Sequence, residues 1–188
     1  GIVDKPVTAY SVPPISQEMR MPYALPEDGV LTGELQVFAA QGEYESASFV
    51  VFPFAPVKAF EIKLSDLAGP GGRIPASAVD AKLVKRWIRA GGAWQNYHSD
   101  RNTRLLTPDM LVNDDKLIEV DEIRQTNKAR LSYPDGDVYF DISDNLRRYE
   151  TNPRFDVENL PFKDAGTLQP VELPEAGRSQ QYWLTVHV

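Results

Sequence analysis

Apolar and polar residues alternate with a period of two along several short stretches of this chain. In Lys58-Ala59-Phe60-Glu61-Ile62-Lys63-Leu64, the apolar Phe60, Ile62 and Leu64 interleave with Glu61 and Lys63. Successive strand side chains point to opposite faces, so this spacing predicts a half-buried β-strand. Residues 79–89 alternate in the same way. In residues 181–188, Tyr182, Leu184, Val186 and Val188 share one face, and Trp183, Thr185 and His187 share the other. Ser48-Phe49-Val50-Val51-Phe52-Pro53-Phe54 is apolar on both faces, which predicts a central strand ending near Pro53. Residues 35–39, 117–120 and 137–142 are further expected strands.

Fifteen prolines and twelve glycines keep these segments short. Proline removes a backbone donor and clashes with the preceding helical turn, so long helices cannot persist at this spacing. Thr107-Pro108-Asp109-Met110-Leu111-Val112 reads as an N-cap, a first-turn proline and one or two turns of helix. Residues 144–149 read as a second short turn. Two proline-bearing stretches, 13–33 and 152–177, read as extended loops. Many short strands joined by turns such as Gly69-Pro70-Gly71-Gly72 and Pro134-Asp135-Gly136 predict an all-β, antiparallel β-sandwich of the immunoglobulin or jelly-roll kind, with long loops and one or two short helices. Residues 1–188 are read as a single domain, with 1–33 as an extended segment packed along it.

Composition narrows the partners. With 42% hydrophobic residues, the chain has the apolar surface for one sizeable core. A net charge of -7 disfavours nucleic acid, whose binding needs a basic footprint, and disfavours anionic membrane surfaces. No apolar stretch approaches the ~20 residues needed to span a bilayer, so no membrane insertion is expected. The chain has no cysteine, which removes disulfides, thiolate metal sites and cysteine nucleophiles. It opens Gly1-Ile2-Val3-Asp4 without an initiator Met, which reads as a trimmed chain from which a secretion signal has been removed.

Candidate chemistry is sparse. Asp109, Asn113, Asp114 and Asp115 lie within seven positions, an oxygen density that suits calcium. The twelve-residue calcium loop and its glycine are absent, however, and Asp114 with Asp115 also suit a cap or turn before the strand at Leu117. The two histidines, His98 and His187, are too few for a cysteine-free zinc site, and no Gly-x-Ser-x-Gly elbow occurs. Among 27 acidic residues nothing singles out a glycosidase pair. Trp94, Asn96, Tyr97, His98 and Arg101 form the best candidate sugar-binding group, with rings to stack on pyranose faces and polar side chains beside them. Trp87 and Trp183 are expected in the sandwich core, where large rings bury most surface. No residue is assigned a catalytic role.

Several segments together carry a likeness. Ala40-Gln41-Gly42-Glu43-Tyr44-Glu45-Ser46-Ala47-Ser48-Phe49-Val50, then Leu64-Ser65-Asp66-Leu67 with Ile74-Pro75-Ala76 and Val79, then Val84-Lys85-Arg86-Trp87, Leu111-Val112-Asn113-Asp114-Asp115 and Gln181-Tyr182-Trp183-Leu184-Thr185-Val186-His187-Val188 follow one another in order. In that order they resemble the N-terminal β-sandwich module of large secreted bacterial glycoside-hydrolase-like proteins, including the β-N-acetylgalactosaminidase-like group and relatives of unassigned function. The likeness covers roughly residues 34 to 188 in separated patches. It implies a noncatalytic accessory module in the periplasm, on the cell surface or outside the cell. Its partners would be a catalytic domain of the same polypeptide and a glycan. The family's catalytic barrel and its acidic pair match no position here. A carbohydrate-binding module and a glycoside hydrolase in its own right are the alternatives. Within the first matching segment, Gly42 reads as a turn and Glu43 as a structural residue that satisfies backbone amides. In the family pattern the last segment runs on, and the sequence leaves open whether an unpaired sheet edge results here.

Overall fold

The computed structural model describes residues 5–31, 33–90, 103–143 and 160–188. It is all-β, with thirteen strands and two single turns of 3-10 helix among those residues. The strands are β1 (Val7–Val12), β2 (Val30–Leu31), β3 (Tyr44–Pro53), β4 (Val57–Phe60), β5 (Leu67–Gly69), β6 (Gly72–Ile74) and β7 (Val79–Ala90). They continue as β8 (Arg104–Val112), β9 (Ile118–Asp121), β10 (Thr126–Tyr133), β11 (Gly136–Asp141), β12 (Val171–Leu173) and β13 (Gln180–His187). The helical turns span Ala76–Ala78 and Asp115–Leu117. Among the described residues no helix is long and apolar enough to cross a membrane.

One antiparallel sheet runs in the order β2-β1-β3-β13-β7-β8. A second layer is made of the sheets β11-β10-β9 and β12-β4. The core lies between the layers. Val51, Leu83, Val112 and Tyr182 from the large sheet meet Leu117, Ile118, Ala129, Val171 and Leu173 from the opposite side. Tyr182 is fully buried, its ring stacked 5.4 Å from Phe49 and tilted 5.6 Å from Phe60. The outer face of the large sheet is covered too: Pro13, Pro14 and Met19 share a groove with Val84, Leu111 and Trp183. Two-sided cover explains why β3 is apolar on both faces, with Val50 and Val51 each 1% exposed. Within the segment expected to pack along the sandwich, Val7–Val12 and Val30–Leu31 are strands of the large sheet itself.

The strands expected at 48–54, 79–89, 137–142 and 181–188 are β3, β7, β11 and β13, and the one at 117–120 is β9 shifted by one residue. The strand expected over 58–64 stops at Phe60. Its partner β12 is three residues long, so nothing pairs with the backbone beyond the Phe60–Val171 register. Residues 35–39 join no sheet, and Phe38 is 84% exposed.

The helix expected over 107–112 is strand instead. β8 closes the sheet edge against β7, and Pro108 pairs with Arg86 where the register slips between Lys85 and Arg86. An edge strand at a bulge tolerates a residue without an N–H, so proline here marks an edge rather than a helical first turn. The short turn expected over 144–149 lies outside the described residues.

The terminal strand is no edge. β13 sits between β3 and β7, paired over eight residues with the first and five with the second. Its end is clasped: the Gly42 N–H donates to the Val188 carbonyl at 2.5 Å, and the Val188 N–H donates to the Glu43 carbonyl at 3.0 Å. Gly42 holds φ +86, and Glu43 Oε2 accepts from the Ala40 N–H at 2.8 Å, so both residues serve the turn as their sequence suggested. Trp87 packs against the core as expected, but Trp183 does not. Alternation along β13 gives the core side to Tyr182, and Trp183 faces the outer groove.

Candidate functional site

The five residues expected to meet sugar, Trp94, Asn96, Tyr97, His98 and Arg101, lie outside the described residues. The oxygen-rich group expected to suit calcium is described, and each member is engaged by protein. Asp109 accepts from Trp87 Nε1 and from Arg89 Nη1, both at 2.6 Å. Asn113 Oδ1 accepts from Lys82 Nζ at 2.9 Å, and its Nδ2 donates to the Ala165 carbonyl at 2.5 Å. Asp114 accepts from Arg130 Nη1 at 2.6 Å and caps the helical turn through the Lys116 N–H at 2.9 Å. Asp115 accepts from Lys85 Nζ at 2.7 Å. Calcium there would have to displace four cationic side chains, and no group of three or more His, Asp or Glu converges among the described residues. Burial alone would raise the Asp114 carboxyl, but the Lys116 amide and the Arg130 guanidinium outweigh it and hold the group below its usual range.

Asp164 was not legible as part of this corner. Its two oxygens accept from the backbone N–H groups of Asn113 and Asp114, at 2.6 and 3.0 Å. The carboxylate thereby pins the segment leading into β12 to the end of β8, across fifty residues of sequence.

A cleft of about 490 Å³ opens beside these ion pairs. β7 contributes Lys85 and Arg86, the helical turn Asp115 and Lys116, β9 Glu119, and β12 Glu172, with Glu122, Tyr139 and Arg178 completing the walls. A bulge sets two successive residues against one on the partner strand. Here the extra residue is Asp109 in β8, between Pro108 and Met110, and Lys85 and Arg86 both line the cleft although plain alternation would send them to opposite faces. Most charges in the cleft are matched. Lys85 holds Asp115 by side chain and by the main-chain carbonyl, at 2.7 and 2.8 Å. Arg178 pairs with Glu122, donates to the Tyr23 hydroxyl at 3.0 Å and stands 5.5 Å over that ring.

Arg86 is different. Its Nη2 donates to the Ser179 carbonyl at 2.5 Å and to Gln180 Oε1 at 3.2 Å, both neutral acceptors. Burial, and then the like charge of Arg178, pull this guanidinium down to about 10. The readable signal was modest: a cation placed between Val84 and Ile88 in an apolar alternation.

The sequence matches no protein-family model, and no curated protein matches it significantly.

Proposed function

We propose that this chain is a noncatalytic accessory β-sandwich module of a secreted bacterial glycan-active protein, packing against or positioning a catalytic domain on the same polypeptide. The observation that carries the reading is an exposed aromatic end of the large sheet. Tyr44 is 70% exposed and stacks on His187 with ring centroids 4.3 Å apart, directly beside the clasp that fixes Val188. Phe38, two residues before the turn into Tyr44, is more exposed still. Apolar rings left in water on a rigid sheet end suit a protein–protein contact.

Reading the gene beyond the codon for Val188 tests this proposal. An open frame that continues into a glycoside-hydrolase-like domain supports it. A stop codon at that point, with no such domain upstream, overturns it.

A further inference from the structure

We infer that the cleft between β7, β9 and β12 binds a small organic carboxylate, with the anionic group received by Arg86. The inference stands apart from the accessory-module reading, since it concerns one cleft whatever domain the chain accompanies.

Arg86 uses few of its donors. A guanidinium carries five donors, and here one nitrogen serves two neutral oxygens. Nε and Nη1 meet no acceptor among the described residues. The two anions whose charge reaches Arg86 are Glu122 and Asp115. Both are already committed, to Arg178 and Lys85 respectively. A part-buried cation without its own counter-charge is a standing cost that a bound anion relieves. Arginine at such a place also offers charge-assisted hydrogen bonds, the strong kind.

The walls decide which anion fits. Lys85, Arg86, Lys116 and Arg178 line the cleft together with Asp115, Glu119, Glu122 and Glu172. A dianion such as phosphate would meet four carboxylates, and a neutral ligand would leave Arg86 as it is. A singly charged carboxylate satisfies both conditions. Lys116 and Glu172 have no ion-pair partner among the described residues, so their head groups remain for hydroxyls on the same ligand. A hydroxylated acid, such as a sugar acid, therefore matches better than a bare carboxylate. The volume of about 490 Å³ lies within the roughly 300–1,000 Å³ usual for small-ligand pockets.

The test is a titration of ¹⁵N-labelled protein followed on backbone amides and on arginine Nε–H signals. D-glucuronate, acetate, glucose and inorganic phosphate are the separate probes. Glucuronate is expected to give saturable shifts at the Arg86 Nε–H and at the Lys85 and Gln180 amides, with a Kd of about 1 mM or tighter. Acetate should shift the same signals more weakly. Arg86→Gln should abolish the response. Because that variant also loses the Ser179 contact and can fail to fold, Lys116→Gln serves as the second: it should fold normally and weaken glucuronate roughly threefold. The inference is overturned if neither acid gives a saturable shift, if glucose shifts these signals as glucuronate does, if phosphate binds more tightly than glucuronate, or if folded Lys116→Gln binds glucuronate unchanged.

Discussion

The side chain of Asn127 in β10 completes the backbone ladder of Ile88 in β7. Oδ1 accepts from the Ile88 N–H at 2.8 Å and Nδ2 donates to the Ile88 carbonyl at 2.6 Å. β7 outruns β13, whose pairing with it reaches only Leu83, and the amide supplies at Ile88 the edge that β13 does not. One side chain thus joins the two layers by the same pair of bonds that joins strands. Asn127 is 1% exposed, and its own N–H donates to Ser143 Oγ at 2.8 Å.

Removing that amide strands two buried backbone groups. Each costs about 1–3 kcal/mol when left unpaired, so Asn127→Ala should lower stability by about 2–6 kcal/mol. Urea unfolding of the variant and parent checks this.

Tyr182 behaves in the opposite sense. Its hydroxyl is buried without a hydrogen-bond partner, and burial pushes the phenol well above its usual range. Deleting only the oxygen removes an unpaid desolvation, so Tyr182→Phe should be neutral or stabilise by up to about 1 kcal/mol. Tyr182→Ala removes the ring between Phe49 and Phe60 and should cost about 3–5 kcal/mol. Thermal unfolding of the two variants should move the melting temperature little in the first case and far down in the second.

Acid should act through the N-terminal strip. The Arg20 guanidinium beside Asp28, chiefly through its hydrogen bond, holds that carboxyl down to about 2 from its ordinary 3.8. A carboxyl depressed on folding contributes stability that is complete above its unfolded pKa and is lost as pH falls through the folded one. The contribution should therefore be whole above about pH 4 and fade between pH 4 and pH 2. Asp28→Asn should lower stability at pH 6 and flatten the stability profile in that acid window, as read from denaturant midpoints at successive pH values.

Gly42 should resist substitution. At φ +86 an L side chain is strained, although nothing lies within 4 Å of where a Cβ would stand. Gly42→Ala should cost about 1–2 kcal/mol from backbone strain alone. The amide exchange of Val188, whose N–H bonds to the Glu43 carbonyl, should quicken with it.

Much of the fold was legible because alternation survives wherever one face is buried. β3, β7 and β13 declared themselves by that pattern, and they form the middle of the large sheet. β10 escaped because its inward positions are Asn127, Ala129 and Leu131, a run that a polar amide and a small residue disguise. β8 was misread because Thr107-Pro108-Asp109 imitates a helix start, and only the slip opposite Lys85 and Arg86 makes room for proline in an edge strand. The cleft was hidden because period-two reading assigns Lys85 and Arg86 to opposite faces, whereas both line it. Asp114 was legible as a cap; its partners Arg130 and Asp164 stand 16 and 50 positions away in the chain, beyond any local pattern.

Both the aromatic end and the cleft depend on a rigid sheet organised around β13, and residue-resolved amide hydrogen exchange tests that claim most directly. Amides 182–186, bonded between β3 and β7, should exchange only through global unfolding and be among the slowest in the protein, while the exposed β5–β6 hairpin exchanges far faster. Exchange in β13 as rapid as in that hairpin would contradict the account.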